Sequence, residues 1–181
     1  MKLNSKDKMK VESYKIKGWK EKETGLFISE NEDWILVNHI PNDYALDGFK
    51  LYRKKFVKKR VSESPEKQIE KVLRLKNIQI PELKNFTFND VLETLKWSEK
   101  KYGQFEFQDK KEDELFYGKI NRTDNDLLII DMIKSNGQVE LNYDFEFKLG
   151  KIRSITFETD YFESIRVLFL DEAKNNLQQN L

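Results

Sequence analysis

Two segments of this chain resemble each other, and this internal repeat constrains the fold more than any other sequence feature. The first segment covers residues 25–40 and the second covers residues 118–133. At a constant separation of 93 positions, Gly25 corresponds to Gly118 and Asp33 corresponds to Asp126. Because similarity at a fixed separation is the signature of repeated structural units, the sequence predicts two related domains.

The similarity continues at a slightly larger separation toward the end of each copy. At 96 positions, Phe56 corresponds to Ile152 and Val61 corresponds to Phe157, which implies a three-residue insertion in the second copy. Each copy contains a glycine-led strand, an acidic turn, a strongly apolar strand, a polar hairpin, an aromatic strand and a basic strand, in that order. The shared order predicts an internal duplication.

Patterns of apolar residues predict short strands in both copies. Residues 34–40 and 127–133 are nearly continuous apolar runs, which are typical of central strands covered on both faces. Apolar residues alternate with polar ones from Val139 to Leu149, which predicts strand structure through that stretch. Five short antiparallel strands per copy are what a small, strongly bent barrel requires. The predicted fold is mainly β (α+β), with two tandem small antiparallel β-barrels and connecting helices.

Three helices are predicted around the strands. A Ser-Pro-Glu run at 64–66 predicts a helix with Ser64 as its N-cap. A capping box at 87–90 predicts a second helix that ends at Gly103, and a third should run from about Tyr161 to Lys174, with 175–181 fraying. The predicted domains are a first barrel with its helix at 1–76, a linker and helix at 77–102, and a second barrel with its helix at 103–181.

The sequence between Gly25 and Arg53 carries a family resemblance. Its Asp-Trp-Ile-Leu-Val run at 33–37 and Asp-Tyr-Ala-Leu-Asp-Gly-Phe run at 43–49 resemble a segment of uncharacterised bacterial cytoplasmic proteins. In general shape the segment is similar to Sm-like small barrels. The resemblance implies an Sm-like fold for each copy and assigns no binding residue.

A basic cluster between Lys50 and Arg60 is the sharpest local signal for a binding site. It holds seven cations and no acid, with two aromatic residues interleaved: Lys50, Tyr52, Arg53, Lys54, Lys55, Phe56, Lys58, Lys59 and Arg60. One interpretation is an edge strand whose lysines prevent edge-to-edge aggregation. Another is a surface that follows the phosphates of single-stranded RNA and stacks its bases on the rings. A third is a contact for an acidic protein.

Charge is divided unevenly along a chain whose formal net charge is only +1. Residues 1–102 contain 23 basic and 16 acidic residues, a net of +7, whereas residues 103–181 contain 10 and 16, a net of −6. Two barrels of opposite charge could dock on each other or pair head-to-tail between chains as a homo-oligomer. Trp19, beside three lysines, falls near the end of an element where it could be partly exposed, and an exposed Trp19 would mark a contact surface.

The sequence argues against catalysis, a metal site and a cofactor. There is no cysteine, and the single histidine, His39, lies in an apolar strand where it is expected to be a satisfied structural residue. No glycine-rich phosphate-binding loop is present. The acidic pairs Asp43 with Asp47 and Asp124 with Asp126 fall in predicted turns.

Neither a signal sequence nor a membrane span is evident, so a cytoplasmic protein is expected. The sequence therefore predicts a non-catalytic cytoplasmic binding or adaptor protein with an unknown protein partner. The alternatives are a single-stranded RNA-binding protein that uses Lys50–Arg60, and an immunity-like inhibitor of a toxin.

Overall fold

The computed structural model describes residues 9–179. It is a mainly antiparallel β structure with three helices in the described part of the chain, so the class is α+β and mostly β. The chain divides between Phe88 and Asn89 into two compact units. No helix among residues 9–179 is both long enough and apolar enough to cross a membrane.

Between residues 9 and 88, the first unit contains five strands and one helix. They are β1 (Val11–Ile16), β2 (Lys22–Glu30), β3 (Trp34–His39), β4 (Phe49–Arg53), β5 (Val57–Val61) and α1 (Ser64–Leu75). Within this unit the strand order is β4-β3-β2-β1-β5, and every neighbouring pair is antiparallel. A single 3₁₀ turn, Lys54–Phe56, connects β4 to β5.

The second unit repeats this arrangement after an additional helix. Its elements are α2 (Val91–Tyr102), β6 (Phe105–Gln108), β7 (Phe116–Asp124), β8 (Leu127–Ile133), β9 (Val139–Glu140), β10 (Phe147–Lys148), β11 (Ser154–Phe157) and α3 (Asp160–Gln179). The strand order is β10-β8-β7-β6-β11, and β9 also pairs with β8. A 3₁₀ turn, Leu149–Lys151, again connects the last two strands.

The described strands form open sheets, whereas the sequence predicted closed barrels. Closure of the first unit requires hydrogen bonds between its end strands. The end strands of this unit are β4 and β5. They lie at opposite ends of the strand order, where β4 pairs with β3 and β5 pairs with β1. The cluster from Lys50 to Arg60 is therefore not one basic strand, because it spans β4, the 3₁₀ turn and β5.

The strand register shows that both units contain the same irregularity. The β2–β3 register shifts between Phe27 and Ser29, and the β7–β8 register shifts between Ile120 and Arg122, which lie 93 positions later. Such a bulge bends the strand locally and increases its twist. The register shift occurs at equivalent positions in the two units, as a duplication of one ancestral unit would predict.

The separation between equivalent residues changes in two steps rather than one. Trp34 faces Arg53 and Leu127 faces Lys148, so the fourth strands are offset by 95 positions. The helices after the last strands are capped by Glu63 and Thr159, which are offset by 96. The predicted three-residue insertion is therefore divided into two residues before β10 and one before α3. The predicted pairings of Phe56 with Ile152 and of Val61 with Phe157 are each wrong by one position.

Buried apolar side chains give β3 the environment that the sequence predicts, whereas Leu127, Asp131 and Met132 of β8 are half-buried. In β3, the side chains from Trp34 to Asn38 are all buried. Ile35 and Val37 pack with β1 and β4, whereas Leu26, from β2, packs toward Leu73 of α1. The alternation along these strands thus supplies apolar side chains to two clusters in the first unit.

The helix boundaries differ from the predictions by small local amounts. The N-cap of α1 is Glu63, which forms a capping box with Glu66, and Ser64 is already helical. Asp90 caps α2 by accepting a hydrogen bond from the backbone of Glu93, so the predicted box at 87–90 is wrong. Gly103 ends α2 in the left-handed conformation, as predicted. Helix α3 continues through 175–179 rather than fraying, and residues 180 and 181 lie outside the described residues.

Candidate functional site

The first two members of the basic cluster are buried around one carboxylate. Lys50 and Tyr52 of β4 both donate to Oε2 of Glu23, at 2.8 and 2.9 Å. Burial alone would raise the pKa of Glu23, but the charge of Lys50 and the hydrogen bonds bring it well below its usual value. Burial, together with the charge of Glu23, raises the pKa of Tyr52. Neither Lys50 nor Tyr52 is available to a phosphate or a base.

Trp19 belongs to the same buried cluster. Its side chain is 3% exposed and packs with Tyr14 and Ile16, so the prediction of an exposed contact surface is wrong. The Lys50 ammonium lies 5.3 Å from the centre of the Trp19 ring. Nε1 of Trp19 has no hydrogen-bond partner within the described residues. The indole therefore contributes apolar packing and a cation–π contact.

Two further cations are neutralised by glutamates of β1 and β2. Arg60 of β5 donates to Glu12 at 2.6 Å and to Glu30 at 2.8 Å, while Lys54 also lies 2.8 Å from Glu30. The pKa of Glu12 would be raised by burial, but its hydrogen bonds with Arg60, Lys10 and Tyr14 lower it overall. The basic cluster contains no acidic residue, and its counter-charges therefore come from glutamates of β1 and β2.

The remaining cluster members do not combine into one surface of cations and exposed rings. Lys55 lies 5.1 Å from the centre of the Phe56 ring, and that ring packs partly buried against the core. Arg53 lies 5.7 Å from the Trp34 ring. Lys58 and Lys59 are exposed on β5, the terminal strand of this unit's sheet, and successive strand residues point to opposite faces. This placement favours the edge-strand interpretation.

His39 and Asp126, two other candidates from the sequence, make contacts that stabilise the fold. His39 ends β3 with Nε2 3.3 Å from Oε2 of Glu23, so it joins the cluster that contains Lys50. The Asp126 carboxylate accepts from the backbone of Gly150 at 2.9 Å, which is a loop-ordering contact. Among residues 9–179, no group of three His, Cys, Asp or Glu side chains could hold a metal ion.

A cavity in the second unit is the site that sequence reasoning missed. Its volume is about 660 Å³. Aromatic and apolar side chains from the β6–β7 loop, the start of β7 and the 141–146 loop line it, namely Leu115, Phe116, Tyr143 and Phe145. Phe145 is 47% exposed, and its ring centre lies 4.6 Å from that of the fully buried Phe147. The cavity wall is therefore continuous with the aromatic core of this unit.

Charged residues of the β6–β7 loop line the same cavity. Three carboxylates (Asp109, Asp113 and Glu114) accompany two ammonium groups (Lys110 and Lys111). Lys111 forms an ion pair with Glu114. Burial lowers the pKa of the nearby Arg153, and the charge of Asp109 opposes that shift. Asp113 is exposed, so the cavity presents an acidic edge beside its aromatic wall.

Most of the exposed large apolar side chains of the described residues lie in the second unit. Of the nine large apolar side chains that are exposed among the described residues, eight belong to this unit: Leu115, Val139, Leu141, Phe145, Tyr161, Val167, Leu168 and Leu170. Leu141 is 70% exposed. The sequence suggested a strand throughout 139–149, but β9 and β10 have two residues each, and the intervening loop presents Leu141 and Phe145 to solvent. The apolar residues themselves were the available signal.

Comparisons with protein-family models, curated proteins and solved structures find no match to this chain.

Proposed function

We propose that this protein is a non-catalytic binding or adaptor protein of the cytoplasm, which contacts a protein partner through its second unit. The supporting observation is that eight of the nine exposed large apolar side chains among the described residues belong to this unit, and that two of them, Leu115 and Phe145, line its cavity. Exposed apolar side chains concentrated in one part of a protein are typical of interaction sites. An immunity-like inhibitor would be one form of such a protein.

The two units are proposed to be copies of one ancestral Sm-like small β domain. Support comes from the common strand order, the bulge at equivalent positions and the 3₁₀ turn before the last strand of each copy. RNA binding is the less favoured alternative. Lys50 and Tyr52 are buried, and glutamates neutralise Lys54 and Arg60.

Photo-crosslinking followed by quantitative binding tests the proposed function. Leu141 is replaced by p-benzoylphenylalanine, and the exposed Glu32 of the first unit is replaced in the same way as a control. A protein that crosslinks only from position 141 is identified, produced in pure form and titrated against the wild type. We expect Leu141→Ser and Val167→Ser to weaken this binding about tenfold, as truncation of interface side chains commonly does.

The matched control is Leu75→Ser, because Leu75 is the exposed large apolar residue of the first unit and is 72% exposed. This substitution should leave affinity unchanged. Equal affinity of the wild type and both second-unit variants for the purified partner would refute the proposed surface.

A further inference from the structure

The shared strand register identifies which residues of the two units occupy equivalent positions. The β1–β2 and β6–β7 pairs are offset by 93 positions, and β4 and β10 are offset by 95. Within the paired strands, these offsets match Glu23 with Phe116 and Tyr52 with Phe147. Before β10 the pairing changes, because the backbone of Tyr143 donates to Ile130, the equivalent of the residue that pairs with Lys50. Glu23, at the centre of the ionic cluster, therefore corresponds in register to Phe116, which lines the aromatic cavity of the second unit.

In the first unit, a lysine of the chain itself fills this region. The ammonium of Lys50 lies 5.3 Å from the ring centre of Trp19 and 5.7 Å from that of Tyr52. The carboxylate of Glu23 holds it at 2.8 Å. Lys50 is only 6% exposed. The arrangement shows that this fold can enclose an ammonium group between aromatic rings and a carboxylate.

In the second unit, the corresponding lysine is absent and the region is open. Phe116 stands in place of Glu23, and the loop before β10 brings Tyr143 and Phe145 to the cavity, so none of these positions supplies a cation. The result is a cavity of about 660 Å³ with an aromatic wall. Carboxylates among its lining side chains outnumber ammonium groups by three to two. The half of the chain that contains the cavity carries the net charge of −6 counted above.

We propose that this cavity binds a lysine or arginine side chain that a partner protein presents. The aliphatic stem of such a side chain lies against Leu115 and Phe145, and its cation is attracted by the aromatic faces and by Asp113. An acidic side chain would be repelled by the same carboxylate. This assignment rests on the proposed function, because it names the chemistry of the partner that the second unit contacts.

Short peptides and NMR spectroscopy test the assignment without knowledge of the partner. The probes are acetyl-Ala-X-Ala-amide peptides in which X is arginine, lysine, norleucine or glutamate, added to full-length protein with ¹³C-labelled Phe and Tyr rings. Arginine and lysine peptides should shift the Phe145 and Tyr143 signals. They should bind about two- to fivefold more tightly than the norleucine peptide, which has the stem without the charge.

A matched pair of variants separates the acidic edge from general charge effects. Asp113→Asn should weaken binding of the cationic peptides about two- to fivefold and leave the norleucine peptide unaffected. Asp171→Asn, at an exposed position of α3, removes the same charge away from the cavity and should change neither. The ring spectra of both variants verify that the fold is unchanged.

Equal binding of the norleucine and lysine peptides would overturn the assignment and identify a neutral apolar pocket. An absence of shifts up to about 10 mM peptide would also overturn it. If unlabelled protein itself displaces the lysine peptide, the occupant is a second copy of this chain and the partner assignment is wrong. None of these outcomes alters the crosslinking result, so failure of the side-chain assignment remains distinguishable from failure of the proposed function.

Discussion

Lys50 and Glu23 form an ion pair in the interior of the first unit, with Nζ 2.8 Å from Oε2 and side-chain exposures of 7% and 18%. Tyr52 and His39 reach the same carboxylate oxygen. The pair therefore joins β4 to β2, which are not neighbours in the sheet, and it accounts for the most deeply buried cation of the basic cluster.

Removing either charge of this pair should destabilise the protein. Glu23→Gln leaves the Lys50 ammonium buried without its counter-charge. Lys50→Met leaves the Glu23 carboxylate buried without the lysine charge. Each should lower the free energy of unfolding by roughly 3 kcal/mol, because an uncompensated charge then remains in the interior. Urea denaturation monitored by tryptophan fluorescence measures the change.

The double variant Glu23→Met/Lys50→Met is the informative control. It removes both charges, so its loss of stability should be smaller than the sum of the single losses. The second unit already has an apolar residue, Phe116, at the position equivalent to Glu23. Additive losses would show that the two side chains do not act as a pair.

Stability should fall in acid because several glutamates have lowered pKa values in the folded protein. The pKa of Glu23 and that of Glu12 both lie below the ordinary value of 4.5 in the folded state. Their contribution is therefore fully present above about pH 4.5 and is lost as the pH falls through the folded-state values. The urea midpoint should be nearly constant from about pH 7 to 5 and decrease below pH 4.5.

Glu23→Gln provides the comparison for this pH dependence. The variant lacks the carboxylate with the largest lowering among the described glutamates. Its urea midpoint should depend less steeply on pH below about 4.5 than that of the wild type. Identical slopes for the two proteins would contradict the assignment of this titration to Glu23.

Gly137→Ala should destabilise the second unit. Gly137 has a φ of +85°, and a Cβ atom built there would lie 2.5 Å from the backbone carbon of Leu168 in α3. Neither the turn nor the helix backbone can move easily, so a loss of roughly 2 kcal/mol or more is expected from strain and displacement together. The melting temperature and urea midpoint measure it.

Gly150→Ala is the matched glycine control. At Gly150 the nearest atom to the added Cβ would be a side-chain oxygen of Asp126 at 3.1 Å, which can rotate away. Its effect should be much smaller than that of Gly137→Ala. Comparable losses at the two positions would show that the approach of the 134–138 turn to α3 is not a strict constraint.

The protein should not bind single-stranded RNA through the basic cluster. Mixed RNA oligomers at about 50 and 200 mM salt should show no saturable binding with a steep salt dependence. The structural reason is that glutamates neutralise Lys50, Lys54 and Arg60 while Tyr52 is buried. Fluorescence anisotropy of labelled oligomers provides the measurement.

Lys58→Glu/Lys59→Glu is the variant that decides the RNA prediction, since both side chains are exposed on β5. Salt-sensitive binding by the wild type that this variant loses would contradict the prediction and restore the RNA alternative. Aggregation of a Lys58→Val/Lys59→Val variant without any RNA effect would instead support the role of these lysines in edge protection.

The strands and helices could be predicted where local patterns decide them. The apolar run of β3, the left-handed glycine that ends α2 and the repeat that relates the units all arise from side-chain periodicity or local backbone preference. The strand boundaries in 139–149 could not be predicted in this way, because alternating apolar and polar residues are compatible with both a strand and an exposed loop. Pairing with β8 determines where the strands end.

The candidate site was less predictable than the fold. The sequence by itself determined the repeat, the separation of charge and the presence of cations and rings between Lys50 and Arg60. Only the tertiary structure decided which cations face carboxylates, since Glu12, Glu23 and Glu30 come from strands that lie distant in sequence. The cavity beside Phe145 likewise arises from residues about 30 positions apart. Local sequence determines which groups are present, whereas long-range pairing of strands determines which are neutralised, buried or left open to a partner.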